Sequence, residues 1–417
     1  FREREISPNM SLPSWPHEHS DLKPDPSVLF GKLPNGFRYA ILQNSNPKNR
    51  ISMHLYVNAG SLNETDAQKG LAHFLEHMAF NGSEHFAPGE MVKFFQKIGM
   101  QFGPDANAHT SLERTVYDVL LPNNEPEIIR EGMIVLRDYA HGALLLPSEI
   151  DRERKVVLAE KRTRDSVSYR TYVATMKFEF PESRISERFV IGDEKVLETA
   201  DQTLLKDFYY TWYRPENMVL IMVGDTDKQL AEKLIKEQFS DISAKAPPRP
   251  YEGIGKIAHQ GIKPFYHFEK EAGNTTVAVE VVRKKDSEPD SLSLRKRLLT
   301  QMVANRIVQN RLDSLLRKPD TPFTSASVHA HTFLKEIEYA EISVQGKPEN
   351  WEKMLAVAEQ TLRQALIHGF TESELVRVKK DMLTDLDTAV KKSTTRESGD
   401  LAYQIMSDMN NELVFQS

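Results

Sequence analysis

The stretch GLAHFLEHMAFNG, residues 70–82, sets two imidazoles and a carboxylate inside an otherwise apolar run. At about 100° per residue, Leu71, Phe74, Leu75 and Met78 fall at i, i+3, i+4 and i+7 and form one apolar stripe. His73, Glu76 and His77 project on the opposite side, with Phe80 beside them. The spacing therefore predicts a helix with one face for a core and one face for chemistry. His73 and His77 lie one turn apart, so both rings can reach a single ion, and Glu76 flanks them within reach of a water on that ion. A solvated helix face would favour Lys, Arg and Glu, not two His and a Phe. The order H-x-x-E-H is also a known zinc-peptidase spacing.

Two imidazoles hold zinc poorly, and a catalytic site needs a third protein ligand. The stretch IDRERKVVLAEKR, residues 150–162, offers two acids. Glu153, Val156, Val157 and Glu160 share one helical stripe, while Arg152, Arg154, Lys155 and Lys161 lie elsewhere. A carboxylate on a buried face needs a partner, since an unpaired buried charge costs several kcal/mol. A zinc ion is one such partner and an internal Arg or Lys is another. Spacing does not choose between Glu153 and Glu160.

The rest of the sequence frames this site. At 417 residues, 40% hydrophobic and 27% charged, the chain has the make-up of a globular protein able to bury a large core. A net charge of −6 argues against a nucleic-acid footprint. No apolar run reaches the length of a membrane span. The absence of cysteine removes disulfides, thiol nucleophiles and thiolate ligands, and suits an oxidising compartment. The start at Phe1 without Met reads as a processed product, and the end at NELVFQS as abrupt.

Along the chain, residues 1–27 are proline-punctuated and read as an extended lead-in. Asn35-Gly36 marks a hairpin. In ISMHLYVNAG, Ile51, Met53, Leu55 and Val57 face one way and Ser52, His54, Tyr56 and Asn58 the other, polar way. Helices are expected near 88–99, 125–142, 148–165 and over TLLKDFYYTWY, and strands near 106–111, 115–121 and over NMVLIMVGD. SAKAPPRPYEG is a linker candidate, after which strand, long helix, two strands and a capped helix at Thr371-x-x-Glu374 follow. The fold class is α+β: two domains of similar element order, 28–245 carrying the metal motif and 246–417 without one, each a mainly antiparallel sheet with helices on it.

HFLEH at 73–77, the acid pair in ERKVVLAE, NAHT at 107–110 and WYRPENMVLIMVGD at 212–225 together resemble the pitrilysin/insulinase family of zinc peptidases, the inverzincins. The likeness runs over about 28–385 and is strongest to a long-chain periplasmic branch in bacteria. The resemblance implies a mitochondrial-processing-peptidase-like metallohydrolase fold and one Zn2+ per chain, with His73, His77 and Glu160 as ligands. It also implies Glu76 as general base on a zinc-bound water, and Glu153 as a carboxylate orienting a ligand. Asn107 and Ala108 would lie on an edge strand that receives a peptide as an added strand. The implied activity is zinc-dependent endopeptidase in the periplasm. The implied partner is a second half closing a chamber, as a continuation of the polypeptide or another subunit. A non-catalytic scaffold subunit of the same fold is the alternative. Such subunits usually lose a ligand or the base, and all are present here.

Other residues carry less. His329 and His331 share a strand face but lack a third ligand nearby; His17 and His19 fall in the lead-in. His109 sits in the peptide strand, His54 on a polar strand face, and Lys391 and Lys392 form a solvated patch. Trp212 and Tyr213 read as core.

Overall fold

The computed structural model describes residues 14–416. The first part of the lead-in, 1–13, lies outside the described residues. Strands β1 (Val28–Lys32), β2 (Arg38–Gln43), β3 (Ile51–Val57), β4 (Ala106–Thr110), β5 (Thr115–Leu121) and β6 (Met218–Gly224) form one sheet in the order β1-β2-β6-β3-β5-β4. Only the β2–β6 pair is parallel. The β1–β2 hairpin turns at Gly36, whose φ of 94° is the left-handed conformation that favours glycine. Asn35 anchors the turn by donating to the carbonyls of Phe239 and Ile242.

Strand residues alternate between two cores with period two. Tyr39, Ile41, Met53, Leu55, Leu220 and Met222 face a large core. Against that core lie α1 (Leu71–Met78), α2 (Glu90–Lys97), α3 (Pro126–Arg137), α4 (Pro147–Thr163), α7 (Gln202–Trp212) and α8 (Lys228–Phe239). Trp212 and Tyr213 are buried in it. Two further helices, α5 (Val167–Glu179) and α6 (Glu194–Thr199), lie between α4 and α7 in the chain.

A second sheet, in the order β7-β9-β8, comprises β7 (Thr275–Lys284), β8 (Ser325–Phe333) and β9 (Ile337–Gly346), all antiparallel. Helices α9 (Leu292–Leu316) and α10 (Trp351–His368) pack on it, and α11 (Glu372–Lys391) lies against α9. The capping box of α11 forms: the Thr371 amide donates to Glu374 and the Glu374 amide to Thr371 Oγ1. The whole is α+β, as the residue pattern implied. No helix among the described residues is long and apolar enough to cross a membrane.

The last helix departs from the linear reading. Helix α12 (Ser398–Asn410) returns to the first sheet and covers its outer face, although the division read from the sequence put it in the second domain. Leu401, Ala402, Ile405 and Met406 meet Ala40, Val219, Ile221 and Val223 there. This corrects the polar reading of one face of β3: all seven of its residues are buried, and His54 is fully so. His54 is satisfied by Asp118 Oδ1 at 2.5 Å and Ser52 Oγ at 2.6 Å, and Tyr403 of α12 donates to the other Asp118 oxygen. A polar strand face can be buried when its groups hydrogen-bond one another. The helices α5, α6, α8, α10 and α12 had no counterpart in the sequence reading.

Candidate metal centre

Helix α1 starts abruptly. Gly70 adopts φ 102°, and a Cβ there would come within 2.8 Å of Gly192 Cα, so only glycine fits. The Glu64 carboxylate accepts from the amides of Gly70 and Ala72, both at 2.9 Å, and so satisfies first-turn donors that have no helical partner. Leu71, Phe74, Leu75 and Met78 are all fully buried in the large core, which fixes the rotation of the helix. The opposite face is then set as well, and it carries His73, Glu76 and His77.

Helix α4 begins at Pro147, in the first turn where a missing amide costs nothing. It lies against α1, with Val157 fully buried between the two acids of its stripe. Val156 is 47% exposed, so the expected four-residue apolar stripe is narrower than read. The reason is that α4 meets α1 along one ridge only, which takes positions 153, 157 and 160. Arg154 donates to the Leu197 carbonyl and Lys161 to the Gly192 carbonyl, which anchors the outer sides of α4.

The two helices bring three ligand atoms together. His77 Nε2 is 3.3 Å and His73 Nε2 3.6 Å from Glu160 Oε2, and the two rings stand 4.7 Å apart at 79°. With metal–ligand bonds of about 2.1 Å, tetrahedral geometry puts neighbouring ligand atoms about 3.4 Å apart, so these separations fit one zinc ion. Glu153 is the other acid: its Oε1 accepts from His77 Nδ1 at 2.8 Å, which leaves Nε2 of that ring for the ion. His73, His77 and Glu160 are one of two groups of His and acid side chains among the described residues close enough to hold a metal.

The electrostatics suit ligation. Burial drives His73 below the ordinary imidazole pKa, with His77 adding to the effect and Glu160 opposing it, so the ring is held neutral. Burial also lowers His77, but Glu153, Glu76 and Glu160 outweigh it and the net direction is upward. Glu160 is pushed up by burial and more strongly down by His73, Arg164 and His77, so it stays ionised. Burial raises Glu76 above the ordinary carboxylate value, against a hydrogen bond from Thr110 Oγ1 at 2.6 Å.

Two partners of the site went unread in the sequence. Thr110, inside the quoted NAHT, holds Glu76; it falls two residues after Ala108, on the same strand face. Arg164, the residue just after α4, pairs with Glu160 Oε1 at 2.5 Å, an i+4 spacing visible in the sequence. Asn107 and Ala108 lie on β4, the edge strand of the sheet, which pairs with β5 on one side only. Asn107 is exposed, and His109 is partly exposed with Nδ1 3.8 Å from Asp118. His329 and His331 stack 5.6 Å apart on β8, with Glu341 Oε2 3.8 Å from His329 Nε2, but among the described residues they do not form a group of three ligands close enough to hold one ion.

Comparison with known proteins finds two family segments in succession, dividing between residues 176 and 199 and not at 245. Residues 39–176 match the sequence model of insulinase (peptidase family M16), and residues 199–382 that of the peptidase M16 inactive domain. A probable zinc protease, PqqL of Haemophilus influenzae, is 32% identical over 375 residues, covering 89% of this chain and 39% of that protein. The probable zinc protease PqqL of Escherichia coli is 28% identical over 414 residues, covering 95% of this chain and 42% of that protein. The crystal structure of the first half of the periplasmic protease PqqL from Escherichia coli superposes with a TM-score of 0.84 at 27% identity, over 95% of this chain and 84% of that one. The chain thus spans about two fifths of the length of these curated relatives. With both models matched in succession, and with His73, His77 and Glu160 converging within the first, the chain belongs to the insulinase family, peptidase family M16.

Proposed function

We propose that this chain is the metal-binding half of a zinc-dependent endopeptidase acting on peptides or unfolded and small proteins. The observation that carries the reading is the convergence of His73 Nε2, His77 Nε2 and Glu160 Oε2, with the buried Glu76 on the next position of the same helix. His73, His77 and Glu160 would hold one zinc, which when bound polarises a carbonyl and lowers the pKa of its water. Glu76 takes the proton of the attacking water and delivers it to the leaving amine. Thr110 keeps the Glu76 carboxylate turned toward β4. Glu153 fixes the ring of His77. The free edge of β4 at Asn107 and Ala108 offers main-chain groups to an extended peptide, which would lie beside the base as an added strand.

The lengths of the relatives support a second half that closes the site, and the name of the superposed structure supports a periplasmic location. The second domain, like the inactive-domain model it matches, serves as a wall and not as a second centre. The alternative reading is a non-catalytic scaffold; the intact ligand set and base count against it.

The test is metal analysis of the purified chain together with hydrolysis of a quenched peptide library, wild type against Glu76→Gln. The expected result is zinc bound at His73, His77 and Glu160 in both proteins, and lost from that site in the His73→Ala/His77→Ala double variant. Hydrolysis, weak in the chain alone, is expected to fall by at least about 100-fold in the variant. Equal hydrolysis by the two proteins removes the catalytic role of Glu76, and failure to bind zinc removes the metal centre.

A further inference from the structure

A second set of metal-ligand side chains lies on the loop that follows α1. One ligand atom each of Glu84, His85 and Asp138 lies within 4.8 Å of the others, a convergence shared among the described residues only by the centre above. We propose that Glu84, His85 and Asp138 bind a second divalent transition-metal ion, with Zn2+ as the probe, and that this ion clamps the loop 82–89 to the end of α3.

Four features support a built site. Asp138 is fully buried, and the nearest basic group on its carboxylate is the imidazole of His85, Nδ1 to Oδ1 at 2.7 Å. Arg137 bonds Asp241 and Lys245 the His141 carbonyl, so neither cation bonds Asp138, although Arg137 acts through space on Asp138 and Glu84, and Lys245 on Glu84. A buried carboxylate whose one bonded basic side chain is an imidazole gains from a directly bound cation. Second, the other Asp138 oxygen is fixed by Ser83 Oγ at 2.5 Å and the His85 amide at 3.0 Å. That is the outer support that orients a ligating carboxylate and leaves Oδ1 facing the ring.

Third, the loop backbone is already pinned. The Glu84 amide donates to the Gly142 carbonyl and the Leu144 amide to the Gly82 carbonyl, so Glu84 and His85 are presented from a fixed frame. Fourth, residues Asp138–Gly142 form a single π turn, a rare local geometry that recurs at functional sites. Gly142 is required in it, because a Cβ there would stand 2.8 Å from Asp138 Oδ1.

One imidazole with two carboxylates selects a borderline ion over calcium or magnesium, which take oxygen. An ion replacing the shared proton needs the ring nitrogen and Oδ1 about 3.4 Å apart, an opening of about 0.7 Å. The half-exposed ring of His85 can supply it by rotation.

The test is zinc stoichiometry of the purified chain after removal and titration of metal against a chromophoric chelator. The expected result is two zinc ions per chain in the wild type and one in His85→Ala. One is also expected in the His73→Ala/His77→Ala double variant, and none when all three changes are combined. Because His85→Ala also unpairs the buried Asp138 carboxylate, its fold is checked by circular dichroism, and Glu84→Ala, at the surface and outside that pair, should weaken the same ion by at least tenfold. In the double variant, zinc should raise the melting temperature, and adding His85→Ala should abolish that rise. A single zinc in the wild type, two in His85→Ala, or zinc retained after all three changes overturns the proposal. Because the double variant lacks the first centre, the outcome does not depend on whether that centre is catalytic.

Discussion

Glu153 Oε1 accepts a hydrogen bond from His77 Nδ1 at 2.8 Å, across the interface of α1 and α4. The two acids of α4 are therefore not equivalent. The carboxylate at Glu160 faces the ring nitrogens of both histidines, and the one at Glu153 faces the back of one ring. Seven residues on a helix make about two turns and a rise of about 10.5 Å, so both acids lie on the side of α4 that faces α1.

This arrangement predicts a graded loss of metal. Glu153→Gln keeps shape and removes the charge behind His77, and zinc affinity should fall by roughly 10–100-fold while the ligands remain. Glu160→Gln should cost more, since it removes a ligand. Competition against a chromophoric chelator reads both, and equal loss in the two variants would contradict the assignment.

A pH dependence of stability should come from Glu179, at the end of α5. It is 1% exposed, and burial, with Glu280 and Glu341 beside it, raises its pKa from 4.5 to about 8. Tyr339 Oη also lies near, 3.5 Å from Glu179 Oε1, and His329 faces Glu341 at 3.8 Å. The folded chain then keeps a proton that the unfolded chain loses near pH 4.5. Between about pH 4.5 and 8 the folded state binds more protons, so stability falls as pH rises through that window and levels off above it. Glu179→Gln should flatten this decline. Urea unfolding midpoints at pH 5, 6.5 and 8 provide the measurement, and identical slopes in the two proteins would count against it.

The packing of α12 on the first sheet sets a further expectation. Ile405 is 1% exposed among Ala40, Val219, Ile221 and neighbours. Ile405→Ala should cost roughly 2–5 kcal/mol of unfolding free energy. An exposed apolar change in the second domain, Leu383→Ala at 66% exposure, should cost less than about 0.5 kcal/mol. Chemical denaturation with both variants checks the contrast. A small loss at Ile405 would mean that the helix is not part of the cooperative unit.

Much of this was legible locally. The i, i+3, i+4, i+7 stripe of Leu71, Phe74, Leu75 and Met78 fixes which way α1 turns, and so which side carries His73, Glu76 and His77. The alternation along 51–57 and the Asn35-Gly36 turn specify strands and a hairpin. The Thr371 and Glu374 pair marks a helix start, and the structure realises it. These are short-range facts, set by the 3.6- and 2-residue periods of the backbone.

What needed the tertiary structure is every meeting of distant segments. Spacing left Glu153 and Glu160 open, because both lie on one stripe and only the crossing of α4 over α1 tells ligand geometry from the hydrogen bond behind it. Val156 is exposed because that crossing uses a single ridge. His54 read as part of a polar strand face until α12, some 350 residues later, covered that face, Asp118 and Ser52 satisfied the ring, and Tyr403 bonded the other Asp118 oxygen. Local sequence encodes which faces are apolar, whereas the choice of partner for each face is settled by the packing of the whole chain.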